Sequence, residues 1–166
     1  VKTSNERIRS AAPADVGVLL DLIKGLAEFE KLSHEVVATE ELLHEQLFGA
    51  KPSAEVLICE IKENDQWLNA GFALFFTSFS TFLAKPGIYL EDLYIKPELR
   101  SRGLGKKMLT ELARIAVSRG CRRLEWSVLD WNVRARAFYE GLGASPLTEW
   151  TVHRIAGPRL EKLANS

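Results

Sequence analysis

Apolar residues switch between helical and strand-like spacing along the chain, and the switches predict its elements. Arg7 to Ala11 reads as a short strand. Pro13 then opens a helical pattern in which Val16, Leu19, Leu20, Ile23, Leu26 and Ala27 share one face. Asp15, Asp21, Lys24 and Glu28 stand opposite, and Glu28-Phe29-Glu30-Lys31-Leu32 ends the helix. A second helix is expected from Thr39, a good N-cap residue, to Gly49, a C-terminal stop.

Three strand-like runs follow. Glu55 to Ile61 is apolar and β-branched, Leu68 to Phe79 is rich in Phe, and Ile88 to Ile95 comes third. Asn64-Asp65 and Pro86-Gly87 supply turn chemistry between them, and such short connections predict an antiparallel meander. After Pro97 the helical period returns. Leu104, Met108, Leu112 and Ile115 predict a helix from about Gly103 to Arg119. Leu124, Trp126 and Val128 alternate as a strand does, and Val133 to Leu142 reads as a helix stopped at Gly143. Trp150 to Ile155 reads as a last strand, and a helical tail spans Leu160 to Ala164. A strand, a helix of this length and another strand normally form a parallel crossover. The expected class is therefore α/β with a mixed sheet, its first half antiparallel and its middle a parallel β-α-β core. In open sheets of this kind ligands sit beside the carboxyl ends of strands, where the strand order breaks.

Composition changes that picture little. The 166 residues are 46% hydrophobic and 27% charged, and no linker-like tract divides them, so residues 1–166 predict one domain. With 22 Lys+Arg against 22 Asp+Glu the formal charge is zero, which argues against non-specific nucleic-acid binding and against a polybasic membrane-surface protein. Cys59 and Cys121 are too few for a disulfide scaffold and read as small hydrophobes in a reducing compartment. Val1 to Arg9 holds no apolar signal core, and no apolar run approaches the ~20 residues of a membrane span, so the expected location is cytoplasmic. His34, His44 and His153 fall in different elements without ligand spacing, and no metal is expected.

The neutrality conceals a segregation of charge. Arg100-Ser-Arg-Gly-Leu-Gly-Lys-Lys107 places four cations and two close glycines between the strand Tyr89-Leu-Glu-Asp-Leu-Tyr-Ile95 and the next helix. Unpaired N–H groups at a helix start attract anions, and Gly lets a phosphate approach the backbone. Two familiar phosphate loops fail on spacing. Only Leu104 separates Gly103 from Gly105, too little for a Walker loop, and Met108 stands where a dinucleotide fingerprint needs its third Gly or Ala. A solvated strand-to-helix turn would carry the same cations; the strand before and the amphipathic helix after favour a phosphate site.

Arg100-x-x-Gly103-x-Gly105, with Asn132, Phe138-Tyr139 and Gly143 downstream, resembles the GNAT superfamily of acetyl-CoA-dependent N-acetyltransferases. Leu26-Ala-Glu-Phe-Glu-Lys-Leu32, Tyr89-Leu-Glu-Asp92 and Val128-Leu-Asp-Trp-Asn132 are similar to its spermidine/spermine and thialysine acetyltransferase subgroup. The resemblance spans nearly the whole chain. It implies a GNAT-like mixed sheet with helices on both faces, acetyl-CoA as co-substrate and a homodimer.

It also implies roles for individual residues. Leu93, Tyr94 and Ile95 would bind the pantetheine arm through their backbone. The loop of Arg100, Ser101, Arg102, Gly103, Leu104, Gly105 and Lys106 would hold the pyrophosphate. Asn132, Val133, Arg134 and Ala135 would add cofactor contacts, although Asn132 is equally placed to be a plain helix N-cap. Tyr139 is the candidate general acid: a phenol with a pKa of about 10 keeps its proton at neutral pH and can give it to a leaving thiolate. An amphipathic aromatic at a helix edge is the commoner fate of a Tyr.

Glu91 would face the amine, binding it or accepting its proton through water. Strand alternation places Glu91 and Asp92 on opposite faces, and Asp92 is as well suited to a structural hydrogen bond. Phe29 and Glu30 would meet a cationic amine with an aromatic face and a carboxylate, while a solvated helix end is the plainer reading. Glu125, Trp126 and Ser127 match further substrate positions. One departure stands out: the subgroup's acidic-Gly-Trp stretch is replaced by Leu147-Thr-Glu-Trp-Thr151, where only Glu149 could substitute. No Ser-centred nucleophile elbow appears, so direct transfer is expected. The expected activity is acetylation of a primary amine on a small cationic molecule, a polyamine or a lysine-like amino acid such as thialysine. Acetylation of a protein N-terminus or lysine, or acyl-CoA binding without turnover, are the alternatives.

Overall fold

β-Branched and aromatic residues dominate Glu55–Glu63, Gln66–Ser80 and Lys85–Ile95, and these form the three long strands β2, β3 and β4 of the computed structural model, which describes residues 5–166. The first four positions of the Val1 to Arg9 stretch lie outside the described residues. The chain divides into two compact units, Val1–Ser127 and Val128–Ser166.

In the first unit β1 (Glu6–Ser10) precedes two helices, α1 (Val16–Phe29) and α2 (Glu40–Phe48). The three long strands follow, then α3 (Leu104–Ser118) and a short β5 (Leu124–Trp126). The five strands lie in sequence order in one sheet. The first three pairings are antiparallel, and β4 pairs β5 in parallel across α3. The mixed α/β sheet expected from the sequence is present.

Helices cover both faces. Leu19 and Leu22 of α1 and Leu47 of α2 pack on Val56, Ile58, Phe72 and Tyr94. The alternate residues Leu57, Cys59 and Ala73 are equally buried and point to the other face, where α3 buries Met108 and Leu112. A strand covered on both sides needs no polar face, which is why β2 reads as a continuous apolar run. Local chemistry fixes the ends. The Thr39 hydroxyl accepts from the Leu42 amide at 3.2 Å and caps α2. Asn64 and Asp65, with φ of 47° and 61°, turn β2 into β3. Arg119 grips Glu55 at 2.6 and 2.7 Å and ties the end of α3 to the start of β2.

Glu60 is buried in β2 opposite Arg7 of β1. Burial alone would raise its carboxyl pKa; hydrogen bonds from Arg9 and Arg7 outweigh it and hold the pKa below the ordinary value. Arg9 also clasps Asp15 at 2.7 and 2.8 Å, lowering that carboxyl too.

The second unit holds α4 (Val133–Gly141) and α5 (Pro158–Ala164). Gly143, with φ 93°, stops α4 as its composition predicts: the Ala144 amide reaches back to the Tyr139 carbonyl at 3.1 Å. The last strand expected over Trp150 to Ile155 is not formed. That segment is irregular, with Trp150, Val152 and Ile155 exposed. Apolar alternation marks a segment able to pair, but a strand needs a neighbouring strand, and the described residues of this unit contain none.

Candidate active site

The register of β4 is broken once. Asp92 faces Leu74 on β3, yet Leu90 faces Phe75, so Glu91 is an extra residue bulged out of the ladder. The parallel ladder to β5 holds only Ile88, Tyr89 and Leu90, against Leu124, Glu125 and Trp126. Beyond the bulge β4 keeps β3 on one side and, among the described residues, has no strand on the other. The alternate residues Leu93 and Ile95 thus face an open sheet edge, which an extended, amide-bearing ligand can pair with.

That edge runs into the cationic loop. Ser101 and Gly103 both take left-handed backbone, φ 66° and 81°, and Gly103 is the N-cap of α3. The N-cap glycine has no side chain to cap that end, which leaves the first amides of α3 suited to an anion. A Cβ on Gly103 would meet nothing within 4 Å; the glycine serves the backbone conformation and an open approach. The cations around the loop are partly committed elsewhere. Arg102 pairs with Glu63 at 3.6 Å, and Lys107 pairs with Glu6. Arg100 donates through Nε to the Ile95 carbonyl at 2.9 Å, and its guanidinium lies 4.2 Å from the Phe29 ring centroid and 5.8 Å from that of Tyr94. Leu104 is buried in the core, Gly105 is half-buried, and Lys106 is exposed.

Of the three strand residues, Tyr94 sends its side chain into the α1 core and its carbonyl toward Gly71 of β3, so its backbone is turned to the ladder and the open edge falls to Leu93 and Ile95. A Cβ on Gly25 would fall 2.8 Å from the Tyr94 hydroxyl, so only glycine lets α1 close over that ring. Sequence patterning gave no sign of this, because a lone Gly inside a helix usually reads as a weak point.

Acidic groups gather on the α1 side. Asp92 has its carboxyl pKa pushed up to about 6, by burial first and then by the charges of Glu91 and Glu30. Burial also raises Glu30. The bulge is what alternation missed: Glu91 and Asp92 are not simple opposite-face neighbours, and the half-buried Asp92 feels the charges of Glu91 and Glu30. The sequence signal was there in a charged residue within an apolar strand.

Three other candidates sit on β5 and just after it. Glu125 pairs with Arg123 at 2.7 Å, the Ser127 hydroxyl lies 2.8 Å from that of Tyr89, and Trp126 stands opposite Leu90 in the ladder. A cleft of about 360 Å³ between α1 and the turn after β4 is lined by Asp21, Gly25, Asn69, Tyr94, Lys96 and Glu98. The buried Asn69 Oδ1 there has no hydrogen-bond partner among the described residues.

In the second unit Asn132 caps α4, its Oδ1 accepting from the Ala135 amide at 3.2 Å, so the N-cap reading of this residue holds. Val133 and Arg134 lie exposed in the first turn of that helix. Tyr139 is half-buried on α4 with its ring 5.3 Å from that of Phe138. Among the described residues no group of three His, Cys, Asp or Glu side chains is placed to hold a metal, and no helix is long and apolar enough to cross a membrane.

An open strand edge leading to the uncapped start of a helix suits a donor with an amide-bearing arm and a phosphate end, the arrangement an acyltransferase requires. Residues 23–144 match the Acetyltransferase (GNAT) family, and the chain belongs to that family. It is 42% identical to a thialysine N-epsilon-acetyltransferase of Bos taurus, over 95% of this chain and 96% of that protein. It is 36% identical to an L-ornithine N5-acetyltransferase of Arabidopsis thaliana, over 95% and 87% respectively. Among solved structures, an integron cassette protein from the mobile metagenome of V. cholerae superposes with a TM-score of 0.78 at 26% identity, covering 99% of this chain and 100% of that one. The protein is an acetyl-transferring enzyme acting on an amine.

Proposed function

We propose that the donor is acetyl-CoA and that the acceptor is a primary amine on a small cationic molecule, of the thialysine, ornithine or polyamine class. The observation that carries the donor is the outer β4 edge, which among the described residues has no strand beside it beyond Leu90 and leads toward the left-handed loop at Gly103. Leu93 and Ile95, on either side of Tyr94, bind the pantetheine arm through their backbone, while Tyr94 anchors the strand to β3 and α1, and Ser101 to Lys106 bind the pyrophosphate with the open amides of α3. Asn132 to Ala135 add cofactor contacts. The acceptor class rests on Glu30, Glu91 and Asp92, whose combined negative charge suits a cation, and on the activities named for the two relatives.

Transfer is direct. The neutral amine nitrogen bonds to the thioester carbonyl carbon as the carbon–sulfur bond breaks. Glu91 binds the amine or takes its proton through water, and Tyr139 gives its phenolic proton to the departing thiolate. Phe29, Glu30, Glu125, Trp126 and Ser127 shape the acceptor side. The working form is a cytoplasmic homodimer without a metal. The test is thiol release from acetyl-CoA across polyamines, thialysine, ornithine and short peptides. Turnover with the small amines is expected; acetylation of peptides alone would overturn the acceptor assignment.

A further inference from the structure

Arg100 opens the cationic loop, and its guanidinium lies over the Phe29 ring at the end of α1. One of its N–H groups is spent on the Ile95 carbonyl at 2.9 Å. Its guanidinium carbon lies 4.2 Å from the ring centroid of Phe29, the last residue of α1, and 5.8 Å from that of Tyr94. Both Arg100 and Phe29 are half-buried, so the contact is partly shielded from water. The side chain therefore fills the space between the end of β4 and the end of α1. The next residue, Ser101, is non-glycine in left-handed backbone, a state that persists only where its surroundings hold it. On the other side of the stack, Phe29 directly precedes Glu30, one of the acidic residues facing Asp92.

We propose that Arg100 is a positioning residue that locks the cofactor loop to the acceptor side through its stack on Phe29. This rests on the acetyl-CoA reading of the loop. Ordering of the loop around a phosphate fixes Arg100, Arg100 fixes Phe29, and Phe29 sets the end of α1 that carries Glu30. Linkage makes the effect reciprocal: whatever acetyl-CoA does for amine affinity, the amine does for acetyl-CoA. Lysine cannot substitute, because an ammonium has no planar face to lay on the ring and no fork to hold the carbonyl at the same time.

The test uses the full chain, with acetyl-CoA titrated calorimetrically and thialysine as the amine in steady-state assays. Phe29→Leu, on the acceptor side, is expected to weaken acetyl-CoA binding roughly three- to tenfold, whereas Phe29→Tyr, which keeps the ring, restores it. Arg100→Lys is expected to raise the KM for thialysine by a similar factor, and the double variant Arg100→Lys/Phe29→Leu to be no weaker for acetyl-CoA than Arg100→Lys alone. The proposal is overturned if Phe29→Leu changes acetyl-CoA affinity by less than about twofold while the amine KM rises, or if the two losses multiply. If Phe29→Leu does not fold, Arg100→Lys decides alone: an unchanged thialysine KM overturns the proposal. An unaltered protein that binds no acetyl-CoA overturns both this proposal and the functional reading. One that binds acetyl-CoA without acetylating any amine overturns only the acceptor assignment, and the Phe29 titrations still decide the coupling.

Discussion

Leu90 faces Trp126 on the last rung of the parallel ladder between β4 and β5. The next residue, Glu91, is the bulge. Loss of the neighbouring strand and loss of regular pleating thus coincide, and bulges increase local twist, which turns the rest of β4 away from the line of β5. A strand end with one open edge, followed by the left-handed turn into α3, is the geometry on which the proposed acetyl-CoA site rests.

Gly103 separates backbone from space at the loop. Because a Cβ there would touch nothing within 4 Å, Gly103→Ala tests left-handed strain alone. The expected loss is about 1 kcal/mol of stability in urea denaturation, together with a roughly fivefold weaker calorimetric Kd for acetyl-CoA as the loop relaxes. Gly71→Ala is the contrast. Its Cβ would fall 2.1 Å from the Tyr94 carbonyl oxygen, so it should destabilise the whole sheet rather than act on binding. Wild-type acetyl-CoA affinity in Gly103→Ala would show that the loop's φ is irrelevant to the ligand.

Tyr139→Phe removes one hydroxyl and keeps the ring beside Phe138. As general acid it should account for a loss of about 10²- to 10⁴-fold in kcat with acetyl-CoA affinity unchanged. Turnover at the parental rate would leave the thiolate's proton to come from water.

Glu30 has a carboxyl that burial has already made harder to ionise, so its charge is strongly felt where it persists. Glu30→Gln is expected to raise the KM for thialysine roughly fivefold, with less effect on kcat and a weaker dependence on salt. An increase of equal size for an uncharged amine would instead point to a steric role.

The architecture was legible because its signals are local and periodic. Leu104, Met108 and Leu112 could only be one face of a helix, and the Asn64-Asp65 turn fixes the β2–β3 hairpin. The loop was legible from the spacing of Gly103 and Gly105. Three features were not. The Glu91 bulge adds one residue to a strand without altering its composition, so alternation misassigned its neighbours. The Arg100–Phe29 stack joins residues from two distant elements, and no pattern within either one predicts it. Trp150 to Ile155 has the composition of a strand, but composition cannot supply the partner a strand needs.

Asp92 gives a prediction with a definite sign. Burial, then Glu91 and Glu30, push its carboxyl up to about 6 in the folded protein, above its ordinary value of about 4. The folded state then holds this proton more tightly than the unfolded chain does. Its contribution to stability is full below the ordinary carboxyl value and is lost as pH rises through about 6. Asp15 and Glu60 run the other way: their lowered carboxyls favour the fold above the ordinary value and lose that contribution on acidification. Total stability therefore mixes both trends, and a difference between variants isolates one. Asp92→Asn, which cannot ionise, should be more stable than the parent by about 1–3 kcal/mol near pH 7.5 and should lose most of that advantage near pH 4. Glu91→Gln removes one of the repelling charges and should recover part of the same gain. Urea midpoints at the two pH values measure it, and an Asp92→Asn difference independent of pH would mean that this carboxyl titrates normally.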